Sequence, residues 1–191
     1  MSLPRRQAMA ALTTGRGEDL LVVPGLGSTA WDLAAAGDDD RNFYLWGAMG
    51  GAAMIGLGLA LAQPQRRVAV ITGDGEMLMG LGSLATIGAQ RPPNLAVIVF
   101  DNQAYGETGG QPSHTGAGVD LVGVARSCGV ATCLDVMDET GLADLARRLT
   151  ALRETLFARV LIDREEPPRV LPLRDGITLK QRFRAALGVG A

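Results

Sequence analysis

The sequence predicts an α/β fold, a three-layer arrangement of one parallel sheet with helices on both faces. Three observations predict it. Short apolar runs alternate with helix-like segments in βαβ order along most of the chain. Two of those runs, Arg67–Thr72 and Leu95–Phe100, end in Gly73-Asp74-Gly75 and Asp101-Asn102. The 26 glycines follow no period and cluster at the corners between runs and helices.

The elements follow in order. Pro4 to Thr13 reads as a helix, with Pro near its start and Gly15 past its end. Leu20–Val23 is a buried strand. Pro24–Thr29 turns into a helix capped by Ser28 or Thr29, stopped by Gly37 ahead of the polar Asp38-Asp39-Asp40 loop. Phe43–Trp46 reads as a strand, and Gly47-Ala48-Met49-Gly50-Gly51 opens a helix running to Ala62. Arg67–Thr72 is a strand and Gly82–Gln90 a helix. Pro92-Pro93 breaks the chain before the strand Leu95–Phe100. Residues 104–118 form a long loop with five glycines, a kind of segment that often carries function. Val119–Ser127 is helical, Ala131–Val136 a strand, Glu139–Arg153 an amphipathic helix, Phe157–Asp163 the last strand, and Ile177–Leu187 a terminal helix.

Composition narrows the function. The chain has 191 residues, with hydrophobic residues at 47% and aromatics at 4%, so its core is aliphatic. A net charge of −2 with mixed signs gives no electrostatic case for nucleic acid. Cys128 and Cys133 have no neighbouring ligand set and read as reduced and buried. The uncharged stretch Ala48–Ala62 is fifteen residues long, short of a bilayer span, and no secretory pattern opens the sequence. A cytoplasmic location is the expectation, with no membrane partner.

Chemistry concentrates where the strands end, the usual place for ligands in such sheets. Asp74 and Asn102 lie 28 positions apart, each just past a strand. Neighbouring parallel strands bring both to one sheet edge, where a carboxylate and an amide oxygen are hard ligands suited to Mg²⁺. Gly73 and Gly75 let a phosphate approach the backbone. Singly, Asp74 reads equally well as a helix cap and Asn102 as a turn former. His114 is the chain's only histidine, and its ordinary pKa suits proton transfer near neutrality. A catalytic role, a substrate-binding role and plain exposure all remain open for it. Gln111 is an alternative contact for an acidic head group.

These residues resemble the metal–diphosphate motif of thiamine diphosphate (ThDP) enzymes, Gly-Asp-Gly followed somewhat under thirty residues later by Asn-Asn or a variant. Asp101 departs at the first member of the pair; Asn102 matches the ligating second. The resemblance runs from about Leu20 to Asp163, through Gly47–Gly50, Gly73–Gly82 and Asp101–Thr115. Within the family it is nearest to decarboxylases of the sulfopyruvate and phosphonopyruvate type.

The resemblance implies the ThDP-binding fold, as one diphosphate-binding domain over 1–191 with its core at about 20–163. It implies Mg²⁺ held by Asp74, Asn102 and the Ala104 carbonyl, completed by two diphosphate oxygens and a water. Cofactor contacts are implied for Gly27, Ser28, Gly47, Gly73, Gly75, the Glu76 N–H, Tyr105 and Gly106. Met49 is implied as the bulky residue beneath a bent cofactor. Glu76 departs from the small residue usual at its position. The glutamate that activates ThDP belongs to a separate pyrimidine-binding domain. The resemblance therefore implies a pyrimidine-binding partner subunit, an oligomer, and decarboxylation of a small acidic 2-oxoacid. Carboligation, oxidoreduction and a non-catalytic regulatory role remain alternatives. A dinucleotide site is disfavoured, because no Gly-x-Gly-x-x-Gly follows the first strand.

Overall fold

The computed structural model describes residues 2–189; residues 1, 190 and 191 of the expected 1–191 domain lie outside them. In chain order the elements are α1 (Arg5–Thr13), β1 (Leu20–Pro24), α2 (Ser28–Ala36), α3 (Ala52–Ala62), β2 (Arg67–Gly73), α4 (Asp74–Met79), α5 (Ser83–Gln90) and β3 (Leu95–Asp101). A small hairpin follows, β4 (Ala104–Tyr105) and β5 (Gln111–Pro112), around a 3₁₀ turn at Gly106–Thr108. The chain continues through α6 (Leu121–Ser127), β6 (Thr132–Val136), α7 (Glu139–Thr150), β7 (Leu156–Leu161) and α8 (Gly176–Ala186).

Five strands form one sheet in the order β1-β2-β3-β7-β6, and every pair is parallel. Parallel sheets are covered on both faces, which is why their strands read as continuous apolar runs. Here Leu20, Val22, Ala69, Ile71, Ala96 and Ile98 face α1, α2 and α7. Their neighbours Leu21, Val23, Val68, Val70, Val97 and Val99 face α3, α5 and α6. α1 and α8 add Met9, Leu12, Leu179 and Phe183 to the buried set. Among the described residues no helix is long and apolar enough to cross a membrane.

Four local expectations fail, each for a physical reason. Phe43–Trp46 is not a strand: pairing with β1 stops at a single bridge, Val22 to Asn42. Its aromatic residues are instead spent on side-chain contacts, with Phe43 5.0 Å from the Phe183 ring. Residues 47–51 are a turn rather than a helix start, because Ala48 (φ 60°) and Gly50 (φ 87°) are left-handed. Ser28 and Thr29 do not cap α2; its N-cap is Gly27 at φ 71°, without a side-chain cap bond. Finally, two helices join β2 to β3, and the first, α4, begins on Asp74 itself.

Two glycines of α3 should respond oppositely to alanine. A Cβ at Gly56 collides with Val70 Cγ2 on β2, whereas one at Gly58 meets nothing within 4 Å. Gly56→Ala should cost about 1–3 kcal/mol by overpacking. Gly58→Ala should gain about 0.5–1 kcal/mol from helix propensity. Urea denaturation midpoints of the two variants check the signs.

Candidate metal and cofactor site

The site begins with strand register. Gly73 pairs with Phe100, so Asp74 and Asp101 leave the sheet level with each other, and Asn102 follows one step on. Asp74 is 3% exposed and Asp101 fully buried. Two hydroxyls from the loop after β5 lie between them. Ser113 Oγ donates to Asp74 Oδ2. Thr115 Oγ1 lies 2.8 Å from Asp101 Oδ1, 3.2 Å from Asp74 Oδ2 and 2.8 Å from Ser113 Oγ. Burial, then the charge of Asp101, push the Asp74 carboxyl up to about 6 against the lowering effect of its hydroxyl donors. Behind Asp101, Arg159 Nη1 lies 3.4 Å from Asp101 Oδ2, and its other nitrogens bond Asp135 at 2.8 Å.

Asn102 and Ala104 bracket a tight turn. Gln103 sits at φ 59°, its N–H bonds Asp101 Oδ1 at 2.9 Å, and the Ala104 N–H bonds Asn102 Oδ1 at 3.0 Å. The Ser113 N–H reaches the Gln103 carbonyl at 3.1 Å, so the opposed pair Ala104 and Pro112 exchanges no bonds. Pro112, which has no N–H, fits that position, and the Ala104 carbonyl is left pointing away from β5. The edge therefore gathers a buried carboxylate reached by two loop hydroxyls, an amide oxygen with a spare lone pair, and a carbonyl that is unclaimed among the described residues. That all-oxygen set fits a hard divalent cation such as Mg²⁺.

The remaining expected residues surround this centre unevenly. Gly75 lies under Tyr105, whose Cδ1 would be 2.8 Å from any Cβ there. The Tyr105 hydroxyl is 2.5 Å from His114 Nδ1, and the two rings meet edge-on at 6.0 Å. His114 is exposed while Ser113 and Thr115 on either side are buried. Gln111 turns back onto its own loop, donating to the Thr108 carbonyl at 2.9 Å. Gly106 opens the 3₁₀ turn. The Glu76 carboxylate accepts from the Leu26 N–H and Thr72 Oγ1, both at 2.9 Å, tying the loop before α2 to α4. Gly27 is covered by Glu107, whose Oε1 would lie 2.5 Å from a Cβ on residue 27. Gly47 and Met49 belong to the turn that packs on the other end of α4, where Gly50 meets Gly80 and Met79. That end is roughly 9 Å from Asp74 along the six-residue helix, and Met49 is 42% exposed.

Ser113, Thr115, Asp101 and Arg159 escape sequence reasoning as site residues. The alternation Ser-His-Thr, two hydroxyl residues spaced by one, is the signal that could have marked Ser113 and Thr115 as one face.

Residues 27–161 match the family described as thiamine pyrophosphate enzyme, C-terminal TPP binding domain. Over 116 residues the chain is 47% identical to sulfopyruvate decarboxylase subunit beta of Methanocaldococcus jannaschii, covering 61% of each chain. It is 46% identical over 129 residues to the protein of the same name from Methanothermobacter thermautotrophicus, covering 68% of each. It is 39% identical over 186 residues to phosphonopyruvate decarboxylase of Streptomyces viridochromogenes, covering 95% of this chain and 45% of that one. The chain thus spans 61% and 45% of the length of two of these relatives. In fold it is similar to a Mycobacterium smegmatis chain whose X-ray structure is described as a candidate thiamin diphosphate-dependent enzyme. The TM-score there is 0.72 at 19% identity, over 85% of this chain and 32% of that one.

A carboxyl raised in the folded state keeps its proton when the unfolded chain has lost it. Its stabilising contribution is complete below the unfolded value of 3.8 and lost as pH rises through about 6. Asp74→Asn should therefore leave stability unchanged near pH 3.5 and raise that of the metal-free chain above pH 6 by about 1–3 kcal/mol. Denaturation in a chelating buffer across that range checks it.

Proposed function

We propose a function from one premise: this chain belongs to the thiamine pyrophosphate enzyme family, through the C-terminal TPP-binding domain. The chain holds the diphosphate and Mg²⁺ of ThDP and supplies that half of the active site of a 2-oxoacid decarboxylase. The observation that carries this is the all-oxygen set at the level ends of β2 and β3, centred on the buried Asp74 carboxylate. When bound, ThDP supplies the nucleophilic carbon and the electron sink that such a decarboxylation needs.

The protein's own residues do the rest. Asp74, Asn102 and the Ala104 carbonyl hold the cation. The free N–H groups at the starts of α2 and α4, around Gly27–Ser28 and Gly73–Glu76, receive the diphosphate oxygens, as helix N-termini favour anions. The Glu107 carboxylate has to leave Gly27 for that contact to form. Tyr105 and Gly106 line the approach beside Gly75, and Gly47 and Met49 flank the cofactor from the far end of α4. His114 exchanges a proton with bound substrate or product, with the Tyr105 hydroxyl as its partner in the relay.

The relatives' names support the finer reading. Two are beta subunits, which supports a heteromeric assembly in which a second subunit contributes the pyrimidine-binding half. Their substrates, sulfopyruvate and phosphonopyruvate, support a small 2-oxoacid with an acidic head group.

Two experiments test the proposal. Asp74→Ala should abolish Mg²⁺-dependent ThDP binding in calorimetry, a loss of at least tenfold in affinity; unchanged affinity would overturn the metal assignment. The purified chain alone should release no CO₂ from sulfopyruvate or phosphonopyruvate, and addition of a pyrimidine-domain subunit should restore turnover. Robust decarboxylation by the chain alone would overturn the half-site reading.

A further inference from the structure

Past the family match, which ends at residue 161, the chain runs back across the site edge. Arg164 Nε donates to the Asn102 carbonyl at 2.9 Å, and Arg164 Nη2 donates to the Gln103 carbonyl at 3.1 Å. One planar guanidinium thus bridges two successive carbonyls of the turn that bears two of the candidate metal ligands. Such a fork fixes orientation as well as distance, which a flexible ammonium does not. The turn needs fixing, because Gln103 is a non-glycine residue in left-handed conformation.

The same segment also contacts α2 and the residue before the Gly47–Met49 turn. The Arg169 guanidinium lies 4.3 Å from the ring of Trp31 in α2, the helix whose N-terminus faces the site. The Leu173 carbonyl accepts from Trp46 Nε1 at 2.9 Å, and Arg174 lies 5.1 Å from that ring. Trp46 immediately precedes the Gly47–Met49 turn. The Pro168 carbonyl is held by Arg6 Nη2 at 2.9 Å. Residues 164–174 have no helix or strand of their own, yet they contact the Asn102–Ala104 turn, the residue that precedes the Gly47–Met49 turn, and α2.

We propose that residues 164–174 form a strap that fastens the cofactor loops, with Arg164 as the positioning residue for the Asn102–Ala104 metal turn. The inference rests on the metal site proposed above. Arg164 is exposed and lies outside both apolar clusters, so its removal leaves the core packing intact. What it removes is the outer support of two ligands, a loss that typically weakens metal binding 10- to 100-fold.

The test uses Mn²⁺ with inorganic pyrophosphate as probes, so that the pyrimidine-binding subunit is not required. Mn²⁺ affinity is read by electron paramagnetic resonance, and amide hydrogen exchange of Gln103 and Ala104 is read in the metal-free chain. Arg164→Gln should weaken Mn²⁺ binding about tenfold and speed exchange at both amides, with the global denaturation midpoint unmoved. Arg164→Lys, which keeps the charge without the fork, should recover only part of the affinity. Unchanged exchange, or faster exchange with unchanged Mn²⁺ affinity, overturns the strap. Asp74→Asn separates the two readings. If it binds Mn²⁺ as well as the parent does, or if the parent holds none, the proposed metal site is wrong and the strap loses its cofactor role with it.

Discussion

The parallel register of β2 on β3 is the constraint on which the site depends. Both strands are buried along nearly their whole length and apolar through Val68–Ile71 and Leu95–Phe100, so each must lie inside the sheet. Once Gly73 is level with Phe100, the residues that follow them, Asp74 and Asp101, have to emerge beside each other. Two carboxylates then share a buried space. Ser113 and Thr115 bring two hydroxyl hydrogens to four close oxygen–oxygen contacts. At least two of those contacts therefore set lone pair against lone pair unless a proton or a cation is added. The raised Asp74 carboxyl is the protonated answer to that deficit, and a divalent cation is the other.

The sequence shows this site in part because its signal is local. A strand followed by Gly-Asp-Gly, and a second strand followed by Asp-Asn, are each legible within a few residues, and the βαβ alternation supplies their adjacency. What the sequence hides is set by distant partners or by backbone conformation. Ser113 lies 39 positions from Asp74, and no local pattern joins them. The six residues of α4 are too few to show a helical period. The turn at 47–51 hides behind good helix formers, because nothing in Ala48 announces a positive φ. Phe43–Trp46 has strand-like composition, yet its side chains settle against α8 and the C-terminal segment while its backbone pairs only once. At Glu76 the side chain has become a fastener for the neighbouring loop, a role no spacing rule predicts.

The loop after β3 is held at its base and exposed at its tip. Gln103 and Thr115, near its two ends, both bond the same Asp101 oxygen. Between them Gly109 and Gly110 take left-handed conformations, and the residues from Gly106 to Pro112 are exposed. One buried carboxylate thus acts as the anchor for a flap whose outer half, carrying Glu107, leans on the start of α2. The exposed half of the loop thus lies beside the proposed cofactor site, the kind of segment from which binding loops are drawn.

The strap has an optical consequence. The chain contains two tryptophans, Trp31 and Trp46, and each lies beneath an arginine of the same C-terminal segment. Both indoles are at the margin of the fold instead of in its aliphatic core. Intrinsic fluorescence of this protein is therefore a local gauge of how residues 169–174 are seated. A change in emission reports the edge of the proposed cofactor site before it reports the melting of the sheet.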